Sequence, residues 1–76
     1  MVSAYVLVSV DPGKNQEVLS AMLSVQGVKQ AHACWGTPDI FSFVEVPDTK
    51  ALADAVLTTI QSISGVRGTD THVVID

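Results

Sequence analysis

Little in this 76-residue chain points to catalysis, metal binding or contact with nucleic acid. Cys34 is the only cysteine, so an internal disulfide is excluded and no Cys/His cluster offers a structural zinc site. Basic residues are scarce: three lysines and one arginine against eight acids give a net charge of −4. Phosphate neutralisation by a clustered basic face supplies most of a nucleic-acid binder's affinity, so direct DNA or RNA binding is not expected. Long apolar runs are absent too. The longest fall well short of the ~20 residues needed to cross a bilayer, and no membrane association is expected. Met1-Val2-Ser3 has no basic start of the kind a signal peptide carries, and one free thiol suits a reducing compartment. The expected location is the cytosol.

What is present is apolar. Hydrophobic residues make up 47% of the chain and charged residues only 16%, against ~25% charged in typical soluble domains. A lone domain of this size buries only about 60% of the surface its unfolded chain exposes. Small domains compensate with disulfides, metals or oligomerisation. The first two routes are closed here, so oligomerisation is expected, in a single domain spanning 1–76.

The chain reads as two similar halves, each a strand, a helix and a strand. In Ser3 to Val10, Ala4, Val6, Val8 and Val10 alternate with Tyr5, Leu7 and Ser9. Both faces are largely apolar, which predicts a central strand covered on both sides. Asp11-Pro12-Gly13 breaks the strand, and Asp11 as cap with Pro12 at the first helical position predicts an immediate helix start. Val18, Met22 and Val25, flanked by Leu19 and Leu23, form its apolar stripe, and Gly27 ends it. A strand is predicted over Val28 to Trp35, with Ala31, Ala33 and Trp35 on one face. Another runs from Ile40 to Val46, with Phe41 and Phe43 opposed to Ile40, Val44 and Val46. Pro47-Asp48 opens a second helix striped by Leu52, Val56, Ile60 and Ile63. Gly65 and Gly68 flank a loop before a last strand, Thr69 to Ile75.

The order β-α-β-β-α-β, with short connections, predicts a ferredoxin-like α+β plait: a four-stranded antiparallel sheet with both helices on one face. The other face is then bare. The simplest cover for it is the same face of a second copy, which predicts a homodimer packed sheet against sheet.

Candidate chemistry is sparse. No paired carboxylates, Ser-His-Asp set or phosphate-cradling glycine loop occurs. His32 and Cys34 share a strand side, and His72 lies on the last strand, but no orienting group marks them as nucleophile or metal ligands, and neither role is expected. Asp11-Pro12-Gly13-Lys14 reads as a capped turn rather than an anion site. The turn Gly36-Thr37-Pro38-Asp39 is more informative, because it places a carboxylate and several N–H groups at one end of the sheet. Local turn chemistry explains it as well as a site does. As a site, Asp39 would take an ammonium group, while turn N–H groups and the hydroxyls of Thr37, Thr69 and Thr71 would hold a carboxylate. Such a set suits a free amino acid. Trp35 beside the turn reads as packing.

Taken in order, Ala4-Tyr5-Val6-Leu7-Val8, Pro12-Gly13-Lys14, Gly27-Val28, Gly36-x-x-Asp39 and Ile63-Ser64-Gly65-Val66-Arg67-x-Thr69-x-Thr71 resemble the effector-binding (RAM) domain of the Lrp/AsnC family of transcription regulators. The resemblance covers essentially the whole chain. It implies the same plait, with dimers assembling into octameric or decameric rings and amino-acid effectors bound between dimers at the Gly-x-x-Asp loop. It places Gly36, Thr37 and Asp39 in that site, with Thr69 and Thr71 contributing from the last strand, and it implies no cofactor and no enzymatic activity. Regulators of the family usually carry a helix-turn-helix domain ahead of this one. The chain starts at the first strand, and the reading is a stand-alone effector domain without DNA-binding domain, which modulates transcription by assembling with a full-length regulator. Trp35 departs from the pattern by its bulk. Two competing readings are a small dimeric α+β barrel enzyme of monooxygenase or isomerase type, marked by a cavity lined by His32 or His72, and a purely structural interaction module.

Overall fold

The computed structural model describes residues 1–75. β1 (Val2–Val10), α1 (Asn15–Leu23), β2 (Val28–Ala33), β3 (Ile40–Val46), α2 (Thr49–Ala53) with a π-helical continuation (Asp54–Ile60), and β4 (Val66–Val73) follow one another. The sheet order is β2-β3-β1-β4, antiparallel throughout. This is the expected ferredoxin-like plait, with β1 central.

Alternation decides what each sheet face buries. Ala4, Val6, Val8 and Val10 from β1 meet Ile40, Val44 and Val46 from β3 and Ala31 from β2 on the helix side. Val18 and Met22 of α1, with Leu52, Val56 and Ile60 of the second helix, close the core over them. Ser42 is buried there as well, and its hydroxyl donates to the Val6 carbonyl at 2.7 Å, so it costs no unpaired polar atom. The opposite face is open. Tyr5, Leu7, Phe41 and Phe43 form its centre; Tyr5 is 53% exposed and Phe41 43%. Tyr5 and Phe43 are cross-strand partners with tilted rings 5.1 Å apart.

Several boundaries differ from the sequence expectations, each for a local reason. Asp11 does not cap α1. Lys14 N–H donates back to the Asp11 carbonyl at 3.0 Å, and Gly13 has φ +81°. Pro12 and Gly13 therefore occupy the centre of a turn with the residue pattern of type II, and the helix waits until Asn15. α1 also stops early, at Leu23, and Gly27 belongs to the turn into β2 rather than to the helix end. Its φ of +100° requires glycine, and a Cβ there would come within 2.8 Å of Val46 Cγ1. β2 ends at Ala33, leaving Cys34 and Trp35 outside it, and Trp35 and Ala33 are exposed rather than packed. β4 begins at Val66 and ends at Val73, because Gly68 pairs with Ser9 instead of breaking the strand.

Candidate functional site

The chain reaches the turn at Gly36 with φ +114°, a conformation open to glycine alone at low cost. The loop then returns to the sheet through Asp39, which ties it to β1 and to Cys34 just beyond β2. Its N–H donates to the Val8 carbonyl of β1 at 2.9 Å, and its carbonyl accepts from Cys34 N–H at 2.7 Å. Its carboxylate accepts the Val10 N–H through Oδ2 at 2.9 Å. Val10 N–H points to the β3 side of β1, as the Val8 carbonyl does, and the pairing with β3 has ended at Val8 and Ile40, so the carboxylate is its acceptor. On the other side of β1 the ladder to β4 is interrupted. Gly68 opposes Ser9 and Val66 opposes Val10, so Arg67 is the extra residue of a β-bulge. Below the bulge the pairing resumes, with Asp11 N–H donating to the Gly65 carbonyl at 2.8 Å.

An open depression of about 530 Å³ lies at this end of the sheet, lined by Thr37, Asp39, Asp11, Asn15, Arg67 and Gly68 among others. Two carboxylates and one guanidinium face it. Arg67 Nε stands 3.8 Å from Asp11 Oδ1, with the two side chains 64% and 55% exposed. Among the described residues, no hydrogen bond reaches the Asp39 Oδ1 oxygen. The arrangement can hold a small ligand that carries both charges.

Two larger depressions lie elsewhere. One, of about 650 Å³, runs between α1 and the end of the second helix past Ser24, Ser62 and Ser64, with Glu17 its single ionisable side chain. The other, of about 580 Å³, lies at the far end of the sheet beside Lys29, Glu45 and Asp54. Size favours these two, and the second carries the same count of charged side chains; the depression at Asp39 is set apart by a carboxylate held in place by a backbone N–H. His32 and His72 line none of the three. His72 instead contacts Asp70 at 3.0 Å in the open. Among the described residues, no group of three or more His, Cys, Asp or Glu is placed to hold a metal ion, and no helix is long and apolar enough to cross a membrane.

The structure brings only part of the sequence-derived set together. Thr37 and Asp39 line the depression, and Gly36 shapes the loop beside it. Thr69 and Thr71 lie elsewhere: they pair with Val8 and Val6, on the helix side of the sheet, and Thr69 Oγ1 accepts a 2.7 Å hydrogen bond from Gln61 Nε2. Sequence reasoning missed Asp11 and Arg67 as lining residues. Arg67 is the chain's one arginine, and that rarity was the available signal.

With this geometry in place, similarity to known proteins is informative. The model of the Lrp/AsnC ligand-binding domain matches residues 3–76, and the chain belongs to that family. No functionally curated protein is similar enough in sequence to count as a relative. Among solved structures, TTHA0845 from Thermus thermophilus superposes with a TM-score of 0.95 at 26% identity, covering 100% of this chain and 95% of that one. The hypothetical protein PHS023 from Pyrococcus horikoshii gives 0.91 at 29% identity, covering 100% and 92%. A feast or famine regulatory protein from M. tuberculosis, complexed with L-methionine, shares the fold at 22% identity and a TM-score of 0.82. This chain is covered completely there and spans 51% of that protein.

Proposed function

We propose that this chain is a non-enzymatic receptor for an α-amino acid, bound in the depression beside Thr37 and Asp39, and that it works as a homodimer or a larger ring. The observation that carries the reading is the Asp39 carboxylate, held rigidly by Val10 N–H and turned toward an open concavity in a chain of the Lrp/AsnC ligand-binding family. The L-methionine complex of the M. tuberculosis relative supports the ligand class. An ammonium group beside Asp39 gains a charge-assisted hydrogen bond, roughly twice as strong as a neutral one.

The test is thermal unfolding against L-methionine and the other nineteen amino acids at millimolar concentration. A ligand at a hundredfold excess over its Kd adds ~2.7 kcal/mol of stability. In a domain this small, each kcal/mol raises Tm by roughly 4–8 °C. A melting temperature unmoved by all twenty defeats the reading. Regulation of transcription through mixed assembly with a full-length regulator of the family belongs to the same proposal. Native mass spectrometry of the two proteins mixed would show hetero-oligomers, and strictly separate assemblies would count against it.

A further inference from the structure

We propose that Arg67 is the residue that reads the carboxylate of the bound amino acid, and that the β-bulge in β4 exists to aim it there. The inference rests on the binding reading above. Three features of the site support it.

First, Arg67 is the inserted residue of the bulge, opposed by no residue of β1. In a regular strand its side chain would fall on the open face or into the helix-covered core. A bulge takes one residue out of that alternation and re-aims it. Here the re-aimed side chain lines the same depression as Asp39 and Thr37.

Second, the bulge and the candidate ammonium acceptor flank the same end of β1. The bulge lies on its β4 side at Ser9 and Val10, while Val10 N–H holds the Asp39 carboxylate on its β3 side, and Arg67 and Asp39 line one depression.

Third, the site offers both signs of charge to a ligand. Asp11 and Asp39 face one guanidinium. The Arg67–Asp11 approach is 3.8 Å and runs through Nε alone, well beyond the roughly 2.7–2.9 Å of a charge-assisted hydrogen bond. Among the described residues no hydrogen bond engages the planar fork of terminal N–H donors, and this is the group that matches a carboxylate in bidentate fashion. A zwitterion meets both signs at once: its ammonium takes the Asp39 carboxylate and its carboxylate takes the guanidinium. A simple amine would leave the guanidinium without a carboxylate at hydrogen-bond distance, and a simple acid would leave Asp39 without a cation.

The experiment measures the affinity of three probes for the intact protein by calorimetry: L-methionine, L-methioninamide without the carboxylate, and the deaminated acid without the ammonium. Wild-type protein binds L-methionine most tightly. Arg67→Gln weakens L-methionine about tenfold or more, the scale of one lost hydrogen bond to a charged group, and leaves L-methioninamide unchanged. Arg67→Lys recovers part of the loss, because it restores the charge without the fork. Unchanged L-methionine affinity in Arg67→Gln overturns the role of Arg67 while leaving the amino-acid reading intact. So does an equal loss for L-methioninamide, which would mark Arg67 as structural. Failure of L-methionine to bind the wild type counts against the site itself and removes the inference with it.

Discussion

Asp39 holds three hydrogen bonds, two to β1 and one to Cys34 beyond β2, and the one through its carboxylate gives that group a structural duty beside its proposed ligand duty. The two separate by choice of substitution. Asp39→Ala removes the acceptor of Val10 N–H, and an unpaired donor in a partly buried position costs about 1–3 kcal/mol. Asp39→Asn keeps a carbonyl oxygen for that N–H and removes only the negative charge. We expect Asn to unfold in urea near the wild-type midpoint while losing amino-acid binding, and Ala to lose both stability and binding. Binding by Asp39→Asn at wild-type strength would reduce Asp39 to a turn residue. The sequence left these two duties evenly weighted, because a Pro-Asp turn signals both. The neighbouring strand's unpaired amide, invisible in the linear chain, decides that at least the structural duty is real.

Elements were legible where periodicity was strong. The stripe Leu52, Val56, Ile60 and Ile63 located the second helix, although Ile63 packs on the core from beyond its end at Ile60, and the alternation of β1 and β3 assigned both faces correctly. Asp48 was read as its start and does cap it, accepting from Ala51 N–H at 2.8 Å. Asp48→Ala should therefore cost roughly 1 kcal/mol, read as a lowered urea midpoint with an unchanged slope. A midpoint equal to wild type would show the cap to be idle. Three things were not legible. The π-helical pitch of Asp54–Ile60, seen in the bond from Gln61 N–H to the Val56 carbonyl at 3.0 Å, leaves no mark in an apolar stripe this short. The turn at Pro12-Gly13 competes with a helix start built from the same residues. The bulges at Lys29 and Arg67 shift alternation by one, so that Val28 joins Ala31, and Val66 joins Thr69 and Thr71, on the helix side.

At the scale of the whole molecule, the open sheet face dominates. Tyr5, Leu7, Phe41 and Phe43 are contiguous across the two central strands, and Gln30, His32, Asp70 and His72 border them on the edge strands. Each large apolar side chain buried there by a second copy adds about 1.5–3 kcal/mol, a large share of the roughly 5–15 kcal/mol that separates folded from unfolded domains. We expect the protein to run as a dimer or a multiple of one in light scattering. Phe41→Glu, which places a charge at the centre of the patch, should reduce it to the 8.0 kDa monomer. A wild-type protein already monomeric at micromolar concentration would refute the assembly reading. If ligand sites are completed between copies, Phe41→Glu should weaken amino-acid binding as well as association.

By itself, the sequence determined the fold class, the two helical stripes, the apolar nature of both faces of β1 and the family, because these depend on periodicity and local spacing, which are written along the chain. It also located the loop that carries Asp39. The tertiary structure alone decided which polar groups lie together beside that loop. Strand register and bulges set those neighbours. One inserted residue places Arg67 on the depression that Asp39 also lines, while the pairing of Thr69 with Val8 and Thr71 with Val6 turns both threonines toward the helices. Register arises from pairing between segments far apart in the chain, and no pattern within either segment specifies it.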